Sequence, residues 1–250
     1  MSDYNPFSLA GKTVLVTGAS SGIGRSIAVE CSRMGAQVVL TARNAERLEQ
    51  TYALLTGEGH SFFPADLTDP QAIVSLAENV PLLHGVVHCA GVLARVLAKQ
   101  IRPQDLEYIM RPNFEAPVLL QRELLRCKRI AREGSVVFIA SQAPFAPAVG
   151  NAIYSASKAA VLGYANVLSL ELAPQKIRVN SICPAMVWTE LAQADAQATG
   201  QDYEQAQQAY PLKRYGRPED IAYLSVYLLS DASSWMTGSC IDITGGARNP

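Results

Sequence analysis

Short apolar runs rich in β-branched residues alternate with longer amphipathic segments along the whole chain. Several runs are apolar almost throughout, for example at 38–40 and 136–139, which is typical of parallel strands covered on both faces. The alternation predicts an α/β fold with a doubly wound, seven-stranded parallel sheet and helices on both faces. The predicted strands are 13–17, 37–42, 61–64, 85–89, 135–140, 177–182 and 239–243.

The segments between these strands have the apolar spacing of helices. Two helix starts are well marked, because Asp69 precedes Pro70 and two acidic residues follow Pro218. The predicted helices are 23–34, 45–55, 70–79, 103–110, 113–131, 152–173 and 218–229. The segment 188–215 is polar, rich in Gln and Ala, and fits the alternation poorly, so we expect an insertion or a lid over a site. No linker composition divides the chain, and 1–250 is predicted to be one domain.

Composition excludes several classes of protein. A hydrophobic fraction of 49% with 17% charged residues is ordinary for a globular protein and excludes a largely disordered chain. The net charge of −1, with both signs interspersed, implies neither nucleic-acid binding nor a membrane-surface patch. The densest basic run is either a solvated helix face or a docking surface. It consists of Arg122, Arg126, Lys128, Arg129 and Arg132.

The five cysteines are odd in number, scattered and without a CxxC pair, which argues against a disulfide framework or a zinc cluster. We therefore expect no metal, and reduced thiols in the cytoplasm. The first residues carry no basic and apolar leader, and no apolar run is long enough to span a bilayer. The chain is expected to be neither exported nor inserted.

A glycine cluster joins the first strand to the first helix, with Gly18, Gly22 and Gly24 in the spacing Thr-Gly-x3-Gly-x-Gly. Glycines let the backbone turn sharply and bring bare N–H groups and the positive helix end against a pyrophosphate. Glycine spacing alone is a weak signal, but here a strand precedes the cluster and a helix and a second strand follow it. The context predicts a dinucleotide site.

The end of the second strand predicts which dinucleotide binds. An NAD enzyme usually places an acidic side chain here, on the ribose 2′-hydroxyl, whereas this chain has Ala42 followed by Arg43. A guanidinium can grip a 2′-phosphate and no carboxylate repels it, so NADP(H) is expected. The alternative is that Arg43 is a solvated surface residue.

Tyr154 and Lys158 are four residues apart near the start of a long predicted helix, which puts them on one face, one turn apart. A phenol needs a nearby cation to act as an acid or base near neutral pH, because its reference pKa is about 10. Ser141 lies thirteen residues before Tyr154, at the exit of the fifth predicted strand. Asn113 opens the motif Asn-Phe-Glu-Ala-Pro.

With these motifs in this order, the chain resembles the short-chain dehydrogenase/reductase family over nearly its whole length. The resemblance implies a single-domain Rossmann fold, oxidoreductase activity and a tetrad of Asn113, Ser141, Tyr154 and Lys158. In it, Tyr154 exchanges a proton with the reacting oxygen, Ser141 hydrogen-bonds that oxygen, Lys158 lowers the phenol pKa and holds the ribose, and Asn113 holds a water. Taken singly, the four could be a helix cap, a turn residue, a packed aromatic and a solvated amine.

The resemblance also implies a full set of cofactor contacts, in which Asp66 could equally be a turn residue. The implied residues are Gly18, Ser20, Ser21, Gly22, Ile23, Gly24, Arg43, Asp66, Leu67, Cys89, Ala90, Gly91, Tyr154, Lys158, Pro184, Val187 and Thr189. It further implies a homotetramer in which helices 113–131 and 152–173 pack across a two-fold axis. Two departures put local contacts in doubt: His88-Cys89 stands for the family's Asn-Asn, and Ala185 for its Gly. His88 is expected to be a satisfied core residue.

The substrate is predicted to be a small molecule, a carbonyl compound or alcohol of predominantly apolar character. Ala143, Phe145, Met186 and Trp188 are expected around the reacting carbon, with 188–215 closing as a lid. Alternatively, Trp188 anchors the lid to the core.

Two other functions remain open. Reduction of 3-oxoacyl groups on an acyl carrier protein is weakened because Leu170, before Glu171, stands where such reductases carry a basic residue. An NADP-sensing regulator would typically lack the catalytic tyrosine, whereas Tyr154 and Lys158 are both present.

Overall fold

The seven apolar runs form one parallel sheet in the computed structural model, which describes residues 4–199 and 202–247. The strands are β1 (Thr13–Thr17), β2 (Gln37–Ala42), β3 (Ser61–Pro64), β4 (Leu83–His88), β5 (Ile130–Ile139), β6 (Arg178–Pro184) and β7 (Cys240–Ile243). Their order across the sheet is β3-β2-β1-β4-β5-β6-β7, with neighbouring pairs parallel. The predicted fold class is confirmed. The ends of the predicted domain 1–250 lie outside the described residues.

Helices cover both faces of this sheet. They are α1 (Gly22–Arg33), α2 (Ala45–Tyr52), α3 (Pro70–Asn79), α4 (Pro103–Met110), a π-helical turn (Arg111–Glu115), α5 (Ala116–Arg126), α6 (Ala152–Leu172), α7 (Glu190–Thr199), α8 (Tyr203–Gln207) and α9 (Pro218–Leu229). Short 3₁₀ turns cover Ala98–Gln100, Ala173–Gln175 and Asp231–Ser233. Within the described ranges, none of the helices is long and apolar enough to cross a membrane.

The predicted helix 113–131 is wrong at its C-terminal end. The helix stops early because Lys128 adopts the left-handed conformation, with φ of 54°, and the Arg129 N–H donates back to the Leu124 carbonyl at 2.8 Å. This pattern closes a helix and satisfies its last carbonyls. The chain then enters β5 at Ile130, so the last predicted helical residues already belong to the sheet.

Two apolar layers hold the fold together, one on each face of the sheet. On one face Val16 and Val87 pack with Ile27 of α1 and with α9. On the other face Val86 and Phe138 pack with α3, α5 and α6. Consecutive strand residues point to opposite faces, so nearly continuous apolar strands feed both layers.

The order of the strands determines where a ligand can bind. β1 lies between β2 and β4, so the chain winds outward in one direction from β1 to β3 and in the other from β4 to β7. A crevice forms at the carboxyl ends of the strands where the direction of winding changes. The turn after β1 and the segment after β4 meet at this point.

The segment 188–215, expected to be an insertion or a lid, contains α7 and α8, while residues 200 and 201 lie outside the described residues. Its ends are held by aromatic and backbone contacts. Trp188 stacks on Tyr215 with ring centroids 5.9 Å apart, and the Trp188 N–H donates to the Gly216 carbonyl at 2.8 Å. These contacts close the segment into a flap at the carboxyl edge of the sheet.

Candidate active site

A cavity of about 840 Å³ opens at the carboxyl ends of β1, β4, β5 and β6. Almost all of the cofactor and catalytic residues expected from the sequence line it; Asn113 does not. Those that do are Gly18, Ser20, Ser21, Gly22, Ile23, Gly24, Arg43, Asp66, Leu67, Cys89, Ala90, Gly91, Ser141, Tyr154, Lys158, Pro184, Val187 and Thr189. The glycine turn and the Tyr-Lys pair therefore share one space.

The turn after β1 leaves no room for side chains at two of its glycines. A Cβ at Gly24 would lie 2.3 Å from the Gly18 carbonyl oxygen, and one at Gly18 would lie 2.9 Å from the backbone of Ala90. The first N–H groups of α1 have no partner within the helix, and the Ser21 side chain does not cap them. This crowded cradle with free donors at a positive helix end fits a pyrophosphate.

Thr17 supplies hydrogen bonds at the place where this chain departs from the family's asparagines. Its Oγ1 accepts the N–H groups of Cys89 and Ala90, at 2.9 and 3.0 Å. These bonds fix the chain after β4 against the end of β1. Thr17 ends β1 and opens the glycine motif, whose spacing alone did not assign it this role.

His88 stands at the same departure and is buried, with 4% of its surface exposed. Its Nε2 lies 3.0 Å from the Gln121 Oε1, and its ring stacks on Phe138 with centroids 4.7 Å apart. The expectation of a satisfied core residue is only half met, because its Nδ1 and the Gln121 Nε2 have no hydrogen-bond partner. Burial lowers the pKa of His88 to about 4.

The far end of the cavity carries two arginines near the end of β2. Arg43 and Arg47 both line it, together with Asn44, the N-cap of α2. Arg47 also forms an ion pair with Glu190 at the start of α7. Arg43 was expected from the sequence, whereas Arg47 was missed, although it lies in the first turn of α2, directly after the end of β2.

Tyr154, Ser141 and Lys158 converge at the near end of the cavity. Lys158 Nζ lies 5.9 Å from the centroid of the Tyr154 ring, as the one-turn spacing predicts. The Lys158 ammonium also donates to the Ile139 carbonyl at the end of β5, at 2.9 Å. Ser141 follows two residues later, and its Oγ accepts the Ala143 N–H at 3.0 Å. The end of β5 therefore positions both the serine and the lysine.

Burial is the main influence on the protonation of Tyr154 and Lys158. It raises the pKa of the Tyr154 phenol, a rise that the hydrogen bond with Ser141 partly offsets. Burial also lowers the pKa of Lys158 to about 8. Lys158 is not among the groups that shift the pKa of the phenol here, so the expected lowering of that pKa by Lys158 stays a prediction. The phenol carries its proton near neutral pH, which is the state of a proton donor.

Asn113 lies in the π-helical turn, a distortion that often marks functional positions. Its Oδ1 accepts the Val92 N–H at 2.7 Å, while its Nδ2 donates to the Val92 carbonyl at 3.0 Å and the Ser157 Oγ at 3.1 Å. A Cβ at Gly91 would lie only 3.0 Å from Oδ1. Asn113 thus ties the loop after β4 to α6, and its water-holding role stays a prediction.

The substrate end of the cavity carries polar as well as apolar side chains. Ala143 and Met186 line it, as expected, but Phe145 and Trp188 do not. Phe145 is half exposed, and Trp188 stacks on Tyr215 of the same flap while 41% of its surface stays exposed. Leu93 and Leu191 add to the apolar lining. The polar side chains that line the cavity are Asn151, Asp195 and Tyr210.

Asn151 and Asp195 differ in how their side chains are bonded. The Asn151 side chain precedes α6 without capping it, and its buried Oδ1 has no hydrogen-bond partner. Asp195 of α7 is held by Arg95 through bonds of 2.9 and 2.8 Å to its two oxygens. This bidentate pair fixes α7 over the loop after β4. The flap is therefore attached on the substrate side by a largely buried contact.

The basic run on α5 is largely paired within the chain. Arg122 and Arg126 contact Glu123 at 2.6 and 2.5 Å, and Arg126 reaches Glu78 at 3.6 Å. Arg129 donates to two backbone carbonyls in the last turn of α3. These pairings favour a structured helix face over a free docking surface.

Comparison with known proteins agrees with this geometry. The family model described as enoyl-(acyl carrier protein) reductase matches residues 18–248. A 3-oxoacyl-[acyl-carrier-protein] reductase of Rickettsia prowazekii is 32% identical, over 95% of this chain and 97% of that protein. An L-xylulose reductase of Caenorhabditis elegans is 31% identical, over 97% and 98%. Among solved structures, a candidate NAD(P)-dependent gluconate 5-dehydrogenase from Beutenbergia cavernae with bound NADP has a TM-score of 0.85 at 32% identity, covering 97% and 98%.

Proposed function

Because this chain belongs to the short-chain dehydrogenase/reductase family, we propose that it is an NADP(H)-dependent oxidoreductase that reduces a carbonyl compound or oxidises the corresponding alcohol. One observation carries the proposal. The glycine turn, the two arginines and the Tyr154, Ser141 and Lys158 group line a single cavity. A dinucleotide with its phosphates on α1 can therefore reach the phenol.

The residues of the cavity fit NADP(H) in particular. The N-terminus of α1 would bind the pyrophosphate, and Arg43 with Arg47 would bind the 2′-phosphate, since guanidinium groups form bidentate contacts with phosphate. Ala42 offers no carboxylate to repel that phosphate. The Beutenbergia cavernae protein, similar over nearly the whole chain, has NADP bound.

The side chains at the near end supply acid catalysis. When bound, the nicotinamide would give or take the hydride. Tyr154, protonated near neutral pH because of its burial, donates its proton to the developing alkoxide oxygen, and Ser141 stabilises that oxygen by a hydrogen bond. Lys158 holds the ribose, and Asn113 supports the resupply of protons through a water. In the reverse reaction Tyr154 accepts the proton.

The polar side chains in the cavity support a hydroxylated carbonyl substrate beside the apolar one expected from the sequence. The buried Oδ1 of Asn151 has no hydrogen-bond partner among the described residues, and Asn151 lines the same cavity as Tyr154. The similarity to an L-xylulose reductase points in the same direction.

Reduction of 3-oxoacyl groups on an acyl carrier protein is the second candidate, favoured by several relatives with that activity in their names. The paired arginines of α5 and the exposed Leu170 weaken it. The hypothesis of a non-catalytic NADP sensor is also less well supported, because Tyr154 and Lys158 are both present in the cavity.

The exposed surface of α6 supports the homotetramer. Val167 and Leu170 are 56% and 76% exposed on this helix, and an adjacent copy could cover such apolar side chains. Light scattering during gel filtration should give four chains per particle, and Leu170→Glu should reduce that number. We place the assembly in the cytoplasm, where its cysteines stay reduced.

The test is the loss of NADPH absorbance with a panel of hydroxyketones, apolar ketones, diketones and 3-oxoacyl thioesters. We expect turnover, fastest with hydroxyketones, and its abolition in Tyr154→Phe with cofactor affinity nearly intact. Substantial activity in purified Tyr154→Phe would refute the assigned acid. Failure of the whole panel, with NADPH still bound, would favour the sensor.

A further inference from the structure

Two cysteines and an aspartate meet outside the cavity, at the edge of the sheet formed by β6 and β7. The Sγ atoms of Cys183 and Cys240 are 2.8 Å apart although 57 positions separate these residues in the chain. A carboxylate oxygen of Asp242 completes a group of donor atoms that all lie within 4.8 Å of one another. The scattered spacing of the cysteines hides this cluster from the sequence.

The register of the two strands explains the meeting. Cys183 pairs with Asp242, and Ser181 pairs with Cys240. Residues two apart on a strand share a face of the sheet, and so do directly paired residues. All three side chains therefore project on one face, where Cys183 is buried and the two β7 residues are exposed.

The donors are those of a metal site with one open position. Zinc and its heavier relatives prefer thiolate ligands and accept a carboxylate, with three protein ligands and a water in many sites. A neighbouring side chain also orients the carboxylate, since the Gln142 Nε2 donates to Asp242 Oδ1 at 2.5 Å and to the Cys183 carbonyl at 3.3 Å. Such outer contacts are typical of metal ligands.

We propose that Cys183, Cys240 and Asp242 bind one thiophilic divalent cation, such as Zn²⁺ or Cd²⁺, at the β6–β7 edge. Binding replaces two thiol protons by the metal, so two protons are released and two metal–sulfur bonds form. Burial and the neighbouring Cys240 and Asp242 raise the pKa of Cys183, so the empty site holds a protonated thiol.

A disulfide between the two cysteines is the main competing state. It is disfavoured because the cysteines are diagonal in the register, two positions away from direct pairing. The Asp242 carboxylate also disfavours the thiolate that would have to attack an oxidant. Neither feature hinders a cation, which gains from the negative charge. The two sulfurs, 2.8 Å apart in this structure, move apart to roughly 3.8 Å when both bind one tetrahedral ion.

The test is a Cd²⁺ titration of the whole protein, freed of metal and kept reduced with a phosphine. We expect a thiolate-to-metal charge-transfer band that saturates near one Cd²⁺ per chain and decreases when Zn²⁺ competes. Cys240→Ser should abolish the band, and Asp242→Asn should weaken binding about tenfold or more. Cys127→Ser, which removes another partly exposed thiol, is the matched control and should leave the titration unchanged.

Zn²⁺ should also raise the melting temperature of the wild type but not that of Cys240→Ser. This second measurement keeps the test open should a variant fold poorly. The proposal is overturned by the absence of a band or by an equal band in Cys240→Ser. The disulfide would be established instead if the wild type, purified without reductant, has a mass lower by two hydrogens and yields a peptide in which Cys183 is linked to Cys240. No readout depends on enzymatic activity.

Discussion

The burial of His88 predicts a specific dependence of stability on pH. Gln121 Oε1 can only accept, so the Nε2 of His88 must carry the hydrogen, and the bare Nδ1 has no partner. Protonating Nδ1 would put a charge in the apolar layer beside Phe138. This cost appears as a pKa lowered from 6.5 to about 4.

The sign and size of the effect follow from proton binding. Below pH 6.5 an unfolded chain protonates this histidine, while the folded chain does not until about pH 4. The free energy of unfolding therefore falls as the pH drops through this window and stops falling below it. From pH 6.5 to about pH 5 the loss is roughly 1.5 units at about 1.36 kcal/mol each, or about 2 kcal/mol.

The assay is urea unfolding of the wild type and of His88→Asn at about pH 7 and about pH 5. Other groups titrate in both proteins, so the difference between the two pH-dependent losses isolates His88. We expect the wild type to lose about 2 kcal/mol more than His88→Asn. Val87→Ala, which loses packing on the same strand without losing a titrating group, should follow the wild type. Equal losses in the wild type and His88→Asn would refute a neutral, buried His88.

Three further predictions concern the cofactor. Gly24→Ala should weaken NADPH binding in a fluorescence titration about tenfold or more, because its Cβ would lie 2.3 Å from the Gly18 oxygen; unchanged affinity in a folded variant would contradict the cradle. NADPH should bind about tenfold tighter than NADH, a gap of about 1.4 kcal/mol, and Ala42→Asp with Arg43→Ser should reverse the order; equal affinities in the wild type would exclude the phosphate contact. NADPH affinity should fall as the pH rises through about 8, because Lys158 of the cofactor-free protein loses its proton there. Lys158→Met should make the affinity independent of pH in this range, and a pH-independent affinity of the wild type would contradict a charged Lys158 contact with the cofactor.

The sheet was predictable because its information is local. Each strand is a short apolar run. A parallel strand that is buried on both faces can be recognised from this run alone, without knowing which strand pairs with it. The end of α5 was not predictable in the same way. Lys128 closes that helix in a left-handed conformation that side-chain spacing does not encode, so the helical pattern appeared to continue into β5.

The meeting of the candidate catalytic and phosphate-binding residues in one cavity was predictable for a similar reason. The glycine turn lies within one loop, and Tyr154 and Lys158 lie within one helical turn, so local spacing determines their geometry. Arg47 is also a local neighbour, since it lies in the first turn of α2, just after Arg43 and the Asn44 N-cap. Thr17 does not, because its hydroxyl acts on the backbone of a strand end 72 positions away.

The substrate end could not be predicted, because elements distant in the chain build it. Arg95 and Asp195 are 100 positions apart, and their contact decides where α7 lies over the cavity. With α7 in that place, Asp195 faces the cavity, and the flap's aromatic Trp188 is withdrawn into a stack with Tyr215. An apolar residue that follows the catalytic motifs in sequence therefore need not line the cavity, since the flap can bring other side chains, such as Asp195, to it. We expect substrate preference in this chain to depend on how the flap is attached as much as on the residues that follow the catalytic motifs.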